Sequence, residues 1–206
     1  GELGGFFLQE EDADADADAL TSEGIFVFNN TLDVIPGDVV RVRGQVTVFF
    51  ELTQINNVSD ITVCSTGASV TPATVTLPLA DITDLEAIEG MAVVLPQTVT
   101  VTDQFDLVRF GEFTVSDGRL LQPTQTVLPG VDANTQQALN DRNRLIVDDG
   151  RNGSNLQPFV VGRDDSTPLN AGNPVRNGYQ LSGLSGVMNF TFGDYKLEPT
   201  APLVFA

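Results

Sequence analysis

Short apolar runs separated by turn-forming residues dominate the chain. Phe6-Phe7-Leu8, Ile25-Phe26-Val27-Phe28, Val39-Val40-Arg41-Val42-Arg43 and Val46-Thr47-Val48-Phe49-Phe50 open the series. Thr98-Val99-Thr100-Val101-Thr102, Phe113-Thr114-Val115 and Leu145-Ile146-Val147 continue it. β-Branched and aromatic residues fit a pleated surface, and Gly, Pro, Asn or Asp at the boundaries punctuates short strands. Thr98 to Thr102 alternates strictly, which predicts one wet face. Helical spacing is scarce. Asn134 to Arg142 is the best candidate, and Asp84 to Ile88 suits a single turn. Asn152 to Arg176, rich in Gly, Asn, Asp and Pro, reads as long loops around Pro158-Phe159-Val160-Val161.

The runs also echo one another. Arg43-Gly44-Gln45-Val46-Thr47-Val48-Phe49-Phe50-Glu51, followed by Leu52-Thr53-Gln54, matches Ser185-Gly186-Val187-Met188-Asn189-Phe190-Thr191-Phe192-Gly193, followed by Tyr195-Lys196-Leu197. Each passes from a glycine through alternating apolar positions to an aromatic corner and a closing strand. This predicts an all-β protein built as two copies of one five-stranded plan, residues 1–84 and 85–206, with one short helix. Long, coiled strands with a glycine at the bend suit an OB-like Greek-key barrel; a single irregular β-sandwich is the alternative. Met91 to Asp103 supplies the long opening strand of the second copy and should pair with Phe113 to Val115. The first copy has only Gly1 to Gly5 ahead of Phe6, so it is expected to lack that strand. Its free edge would then need covering by the upstream chain of the intact protein, a neighbouring segment or another molecule.

Charge narrows the function classes. There are 28 acidic residues against 10 basic, a net charge of −18, and Lys196 is the sole lysine. Such a surface holds hydration and suits a saline, marine setting, and it opposes general affinity for bare phosphate backbones. Histidine is absent, which excludes His-dependent general bases, Ser-His-Asp triads and HExxH zinc sites from these residues. Cys64 stands alone, so no internal disulfide forms, and its position in an apolar run predicts a small buried strand residue. No apolar run reaches the length of a membrane span, and Gly1 to Gln9 shows no basic-then-apolar leader pattern.

Two groups of residues carry candidate chemistry. Asp12, Asp14, Asp16 and Asp18 alternate with alanine in a loop between strands. Such a run presents carboxylates to a hard cation such as Ca²⁺, or stays a solvated loop, since no glycine turn or closing bidentate Glu accompanies it. Arg41 and Arg43 share a strand face, and with Phe49 or Phe50 nearby they offer charge and stacking to a nucleic-acid strand. Arg109 and Phe110 offer the same in the second half. Pairing of these arginines with neighbouring carboxylates is the competing reading. Asp148-Asp149-Gly150 reads as a turn, and no paired buried carboxylates are evident.

Several strings together resemble a known family. Gly5-Phe6-Phe7-Leu8-Gln9, the Asp/Ala run, Thr21-Ser22-Glu23-Gly24-Ile25-Phe26-Val27 and Gly37-Asp38-Val39-Val40-Arg41-Val42-Arg43-Gly44 occur in order. They are followed by Leu52-Thr53-Gln54, Glu89-Gly90-Met91, Leu95-Pro96, Gly118-Arg119-Leu120-Leu121-Gln122-Pro123-Thr124 and Phe192-Gly193-Asp194-Tyr195-Lys196-Leu197-Glu198-Pro199-Thr200. This order resembles the OB-like region of large extracellular bacterial endonucleases, from residue 5 to the end. The resemblance implies a secreted, non-catalytic accessory region ahead of a metal-dependent nuclease domain of the same protein, with single- or double-stranded DNA as a partner. It implies no catalytic residue at any position here, no required cofactor and no membrane partner. A structural spacer without a nucleic-acid ligand is the alternative, and a free-standing hydrolase a third, disfavoured by the absence of histidine.

Overall fold

The computed structural model describes residues 3–16, 18–29, 34–161 and 168–205. The chain is mostly β and its strands form two curled sheets. The first has four strands, β1 (Gly5–Gln9), β2 (Gly24–Phe28), β3 (Val39–Phe49) and β4 (Leu52–Ser65), in the order β1-β2-β4-β3. The second has eight, β5 (Ala73–Thr74), β6 (Ala92–Leu95), β7 (Val99–Asp103), β8 (Phe113–Ser116), β9 (Leu145–Val147), β10 (Gln180–Leu181), β11 (Leu184–Thr191) and β12 (Asp194–Pro199). They run in the order β10-β7-β8-β9-β12-β11-β6-β5 and curl into a half-barrel. Because β5 pairs with β6, the second sheet begins upstream of the expected boundary at residue 84.

The expected helix forms as α2 (Val131–Arg142), starting three residues early, just after Gly130. The expected turn forms as a 3-10 segment, Ile82–Ile88, capped by Asp81, whose carboxylate accepts from the Thr83 amide. Helical structure exceeds the single short helix read from the pattern. α1 (Leu107–Phe110) closes on Gly111, and Pro123–Gln125 forms a further 3-10 turn.

Pairing register shows that the echo is structural. Phe6 pairs with Val27 and Val27 with Ile55 in the first sheet; Phe113 pairs with Val147 and Val147 with Leu197 in the second. The link from β2 to β4 and that from β9 to β12 are both parallel. Val48 faces Thr53, and Phe190 faces Tyr195. The two hairpins end in matching two-residue turns, Phe50-Glu51 and Phe192-Gly193, all four at positive φ. Gly44 and Gly186 hold matching places for a shared reason. A Cβ would lie 2.4 Å from Ile55 Cγ2 at Gly44 and 2.3 Å from the Glu198 carbonyl oxygen at Gly186.

The copies differ in what borders them. In the second, β8 also pairs with β7, and β11 also pairs with β6. β6 and β7 are consecutive in the chain, separated by Pro96 to Thr98, so one stretch of chain serves both edges. Among the described residues the corresponding edges of β1 and β3 pair with no strand. The hydrophobic core, including Leu95, Val99, Val101, Phe113, Val115, Val147, Met188 and Leu197, is drawn wholly from Val75 onward. In the first sheet the buried apolar residues are Phe26 and Val27.

Several local expectations change. Val39 to Phe49 is one strand with a register shift at Gly44 rather than two runs. Met91 to Asp103 breaks after Leu95 instead of running through. Its second part pairs with the Phe113 strand as expected. Thr100 is buried rather than wet, because β10 pairs alongside it. Cys64 is exposed, not buried, because β4 extends to Ser65 in a hairpin arm packed on few other elements.

A compact junction joins the sheets. Ala92 N donates to Gln9 Oε1 at 2.8 Å, Thr53 N donates to Glu89 Oε1 at 3.2 Å, and Ser22 Oγ donates to the Glu89 carbonyl. Gly24 and Gly90 touch backbone to backbone; a Cβ on Gly24 would lie 2.3 Å from the Gly90 carbonyl carbon. Two strings of the motif series, those around Gly24 and Gly90, therefore meet in one contact.

Candidate functional site

The β3–β4 hairpin carries four of the candidate nucleic-acid residues. Arg41 and Arg43 are exposed on β3, opposite Thr62 and Asp60. Among the described residues neither is ion-paired. Phe49 and Phe50 stand at the tip, 57% and 80% exposed, with rings edge to face at 4.6 Å. Phe50 and Glu51 adopt φ of 48° and 71°, a left-handed pair that costs non-glycine residues on the order of 1 kcal/mol each. The tip therefore presents aromatic surface on a strained, specific turn. Five residues of strand lie between Arg43 and Phe49, roughly 20 Å from one to the other. The guanidinium groups and the rings would thus meet successive parts of an extended ligand.

Arg109 and Phe110 belong to α1, where the guanidinium carbon lies 4.7 Å from the Phe110 ring centre. That arginine is engaged with its own neighbour, and the pair lies far along the sequence from the hairpin. A cavity of about 10 Å³ beside it, lined partly by Gly111, Asp149 and Phe159, has room for about one water molecule. A wider groove of about 330 Å³ runs along α2 between Arg119, Leu121, Leu139 and Arg142.

Carboxylates of the acidic loop accept hydrogen bonds from its own backbone and from Thr71. Asp12 accepts from the Thr71 amide at 2.9 Å and the Thr71 hydroxyl at 2.6 Å, which lowers its pKa. Asp16 accepts from the Asp18 amide, and Asp18 from the Leu20 amide, within their own turn. Asp14 sits in the turn that starts at Glu11. Among the described residues no three Asp, Glu or Cys side chains are arranged to hold a metal ion. Asp12 instead clasps the loop to the chain entering β5.

A buried charge cluster lies where the pattern suggested none. Lys196 is 3% exposed on β12, with Nζ 2.6 Å from Glu112 Oε1 and 3.6 Å from Asp148 Oδ2. Phe192 lies beneath its ammonium, 5.4 Å from the ring centre. Asn189 Nδ2 donates to Glu198 Oε1 at 2.9 Å, while Glu198 Oε2 and Asn189 Oδ1 find no partner. Desolvation raises Asp148 to about 6 and Glu198 to about 8, the nearby Asp148 charge adding to the second. Burial therefore favours the protonated form of Glu198, while Lys196 faces two carboxylates. Asp148 and Asp149 also accept from the amides of Gly150 and Arg151. They are the expected turn, yet buried, and they tie the loop after β9 onto the barrel wall. These contacts link β12 to Glu112 and to the turn after β9.

Sequence reasoning missed this cluster because Lys196 and Glu198 alternate with Tyr195 and Leu197, the pattern of a wet strand face. The available signal was the chain's single lysine in mid-strand.

A family model described as a domain of unknown function (DUF8508) matches residues 51–205, from the β3–β4 turn to the end of the second sheet. No curated protein and no solved structure matches the chain.

Proposed function

We propose that this chain, which belongs to the DUF8508 family, is a non-catalytic accessory region of a secreted nuclease, positioning the catalytic domain and contacting DNA. In this reading two OB-like Greek-key barrels stand in tandem, and among the described residues no opening strand borders the first. One observation carries it: the same chain of pairings, β1-β2-β4-β3 and β8-β9-β12-β11, recurs with a parallel step at the same place. A parallel step between the third and last strands, inside an otherwise antiparallel five-strand ring, suits an OB-type barrel. The residue strings that resemble the extracellular nucleases support the same reading, since several fall at turns and at the junction. Among the described residues no helix is long and apolar enough to cross a membrane.

The DNA contact falls on Arg41, Arg43, Phe49 and Phe50. They combine exposed cations with aromatic faces, the pairing that single strands use for charge and stacking. A spacer role without ligand is the second reading, favoured by the net charge of −18. Fluorescence anisotropy with labelled single-stranded DNA at low salt separates the two. Binding that weakens about tenfold in an Arg41→Ala/Arg43→Ala/Phe50→Ala variant supports DNA contact; equal signals for both proteins leave the spacer. The same samples should show no Mg²⁺-dependent cleavage.

A further inference from the structure

We infer that Glu89 is a proton-dependent latch between the two sheets: in its neutral form it holds the first sheet on the second, and in its ionised form it releases that contact. The residue stands at the centre of the junction. Its carbonyl accepts from Ser22 Oγ, ahead of β2, and its Oε1 accepts from the amide of Thr53, on β4. The next residue, Gly90, donates from its amide to the Met188 carbonyl of β11 at 2.7 Å. One short stretch thus ties the first sheet to the second. The Glu89 side chain is 7% exposed, and its Oε2 is buried without a hydrogen-bond partner. An ionised carboxylate in such a place needs a cation or further donors, which a neutral carboxyl does not.

The neighbouring groups have the wrong sign to supply one. Glu86 comes from the 3-10 segment, Tyr195 from β12 and Glu51 from the tip of the β3–β4 hairpin. Tyr195 Oη donates to Glu86 Oε2. Burial, that hydrogen bond and the charges of Glu86, Glu89 and Glu51 all raise the Tyr195 phenol, so the three carboxylates act on one place. On the side of the first sheet, Glu10 follows β1 and Glu23 follows Ser22, and Glu23 accepts from the Asp16 amide. Gln9 and Met188, which also border the junction, are neutral. Among the described residues no lysine or arginine is ion-paired with any of these carboxylates. Lys196, next to Tyr195 in the chain, faces Glu112 and Asp148 instead.

Water is the remaining source of relief for the charge, and it reaches Glu89 Oε2 only when the contacts around it part. The backbone contact of Gly24 with Gly90 is the tightest of these. Burial raises the Glu89 carboxyl, the Thr53 amide opposes that rise, and the Glu86 charge adds to it. A raised carboxyl binds its proton more tightly in the folded chain than in the unfolded one. Its contribution is therefore full below the ordinary value of 4.5 and is lost as pH rises through the folded value. The junction is firm in acid and loosens toward alkaline pH, while the strand pairing inside each sheet persists.

Amide exchange of the full chain reads the latch at Thr53 and Ala92, whose amides bond across the junction to Glu89 and Gln9. Protection is expressed relative to unstructured peptide at each pH. Between pH 5 and pH 8 it should fall at these two amides about tenfold further than at the amides of β8. Glu89→Gln keeps an acceptor for Thr53 and cannot ionise, so it should abolish that extra fall. Glu198→Gln, at the other buried glutamate of raised pKa, should leave it in place. A carboxyl-carbon NMR titration of the unsubstituted chain gives an independent reading, in which Glu89 should titrate above 4.5. No extra fall at Thr53 and Ala92, an equal fall in Glu89→Gln, or titration of Glu89 at or below 4.5 each overturns the latch. Loss of the fall in Glu198→Gln assigns it to the β12 cluster and overturns it too.

Discussion

Val46 and Met188 occupy the same place in two hairpins of the same register, yet one is 65% exposed and the other fully buried. The local plan is equal in the two halves: a glycine where strands approach too closely for a side chain, matching left-handed turns, the same parallel step. What differs is the closing strand. β6 and β7 border both free edges of the second half and bring Val93, Leu95, Val99 and Val101 into its interior. The hydrophobic core lies there in consequence. Strand register is therefore set by the hairpins themselves, while burial depends on one further segment.

Truncation at the matched positions should break this comparison most visibly. Met188→Ala removes a buried side chain and should cost about 2–5 kcal/mol, lowering Tm by several degrees or more. Val46→Ala should change stability by no more than about 0.5 kcal/mol. Thermal denaturation of both variants checks the pair; equal losses would mean that the interior of the first half is filled.

A second matched position sharpens the contrast. Gln54 and Lys196 pair with β2 and β9 at equivalent points, and both are buried, 6% and 3% exposed. The neutral side chain stands in the open half. In the closed half the lysine draws in Glu112 and Asp148, and Glu198 lies buried beside it. Raised carboxyl pKa values mean that the folded chain binds protons more tightly than the unfolded chain. Their contribution is full below the ordinary value of 4.5 for Glu198 and declines as pH rises through about 6 for Asp148 and about 8 for Glu198. Glu198→Gln keeps a neutral hydrogen-bonding group and removes the upper part of that decline. The variant should gain about 1 kcal/mol over the parent at pH 9, roughly 2–4 °C in Tm, and no advantage at pH 5. An unchanged pH profile between the two proteins would place the titration elsewhere.

The repeat was legible because its determinants are local: alternation, glycine and aromatic corners act through nearest-neighbour pairing. Burial of Thr100 was not, because it depends on β10, which returns after a long loop with no strong pattern. Exposure of Cys64 was hidden for the opposite reason. Its run looks like a core strand, but the hairpin arm has few neighbours there. The Lys196 cluster was illegible because burial comes from Glu112 and the Asp148-Asp149 turn, both remote in sequence. The Arg41, Arg43, Phe49 and Phe50 set was read from one strand and its turn, and one hairpin holds all four.

Residue-resolved amide exchange of the free chain tests the central claim, one plan closed in the second half and open in the first. Outward-facing amides of β1 and β3 should exchange within about an order of magnitude of unstructured peptide, because sheet-edge groups meet solvent. Their counterparts in β8 and β11, bonded to β7 and β6, should be slower by at least a hundredfold. Equal protection at the two sets of edges, in protein shown to be monomeric, would contradict the account.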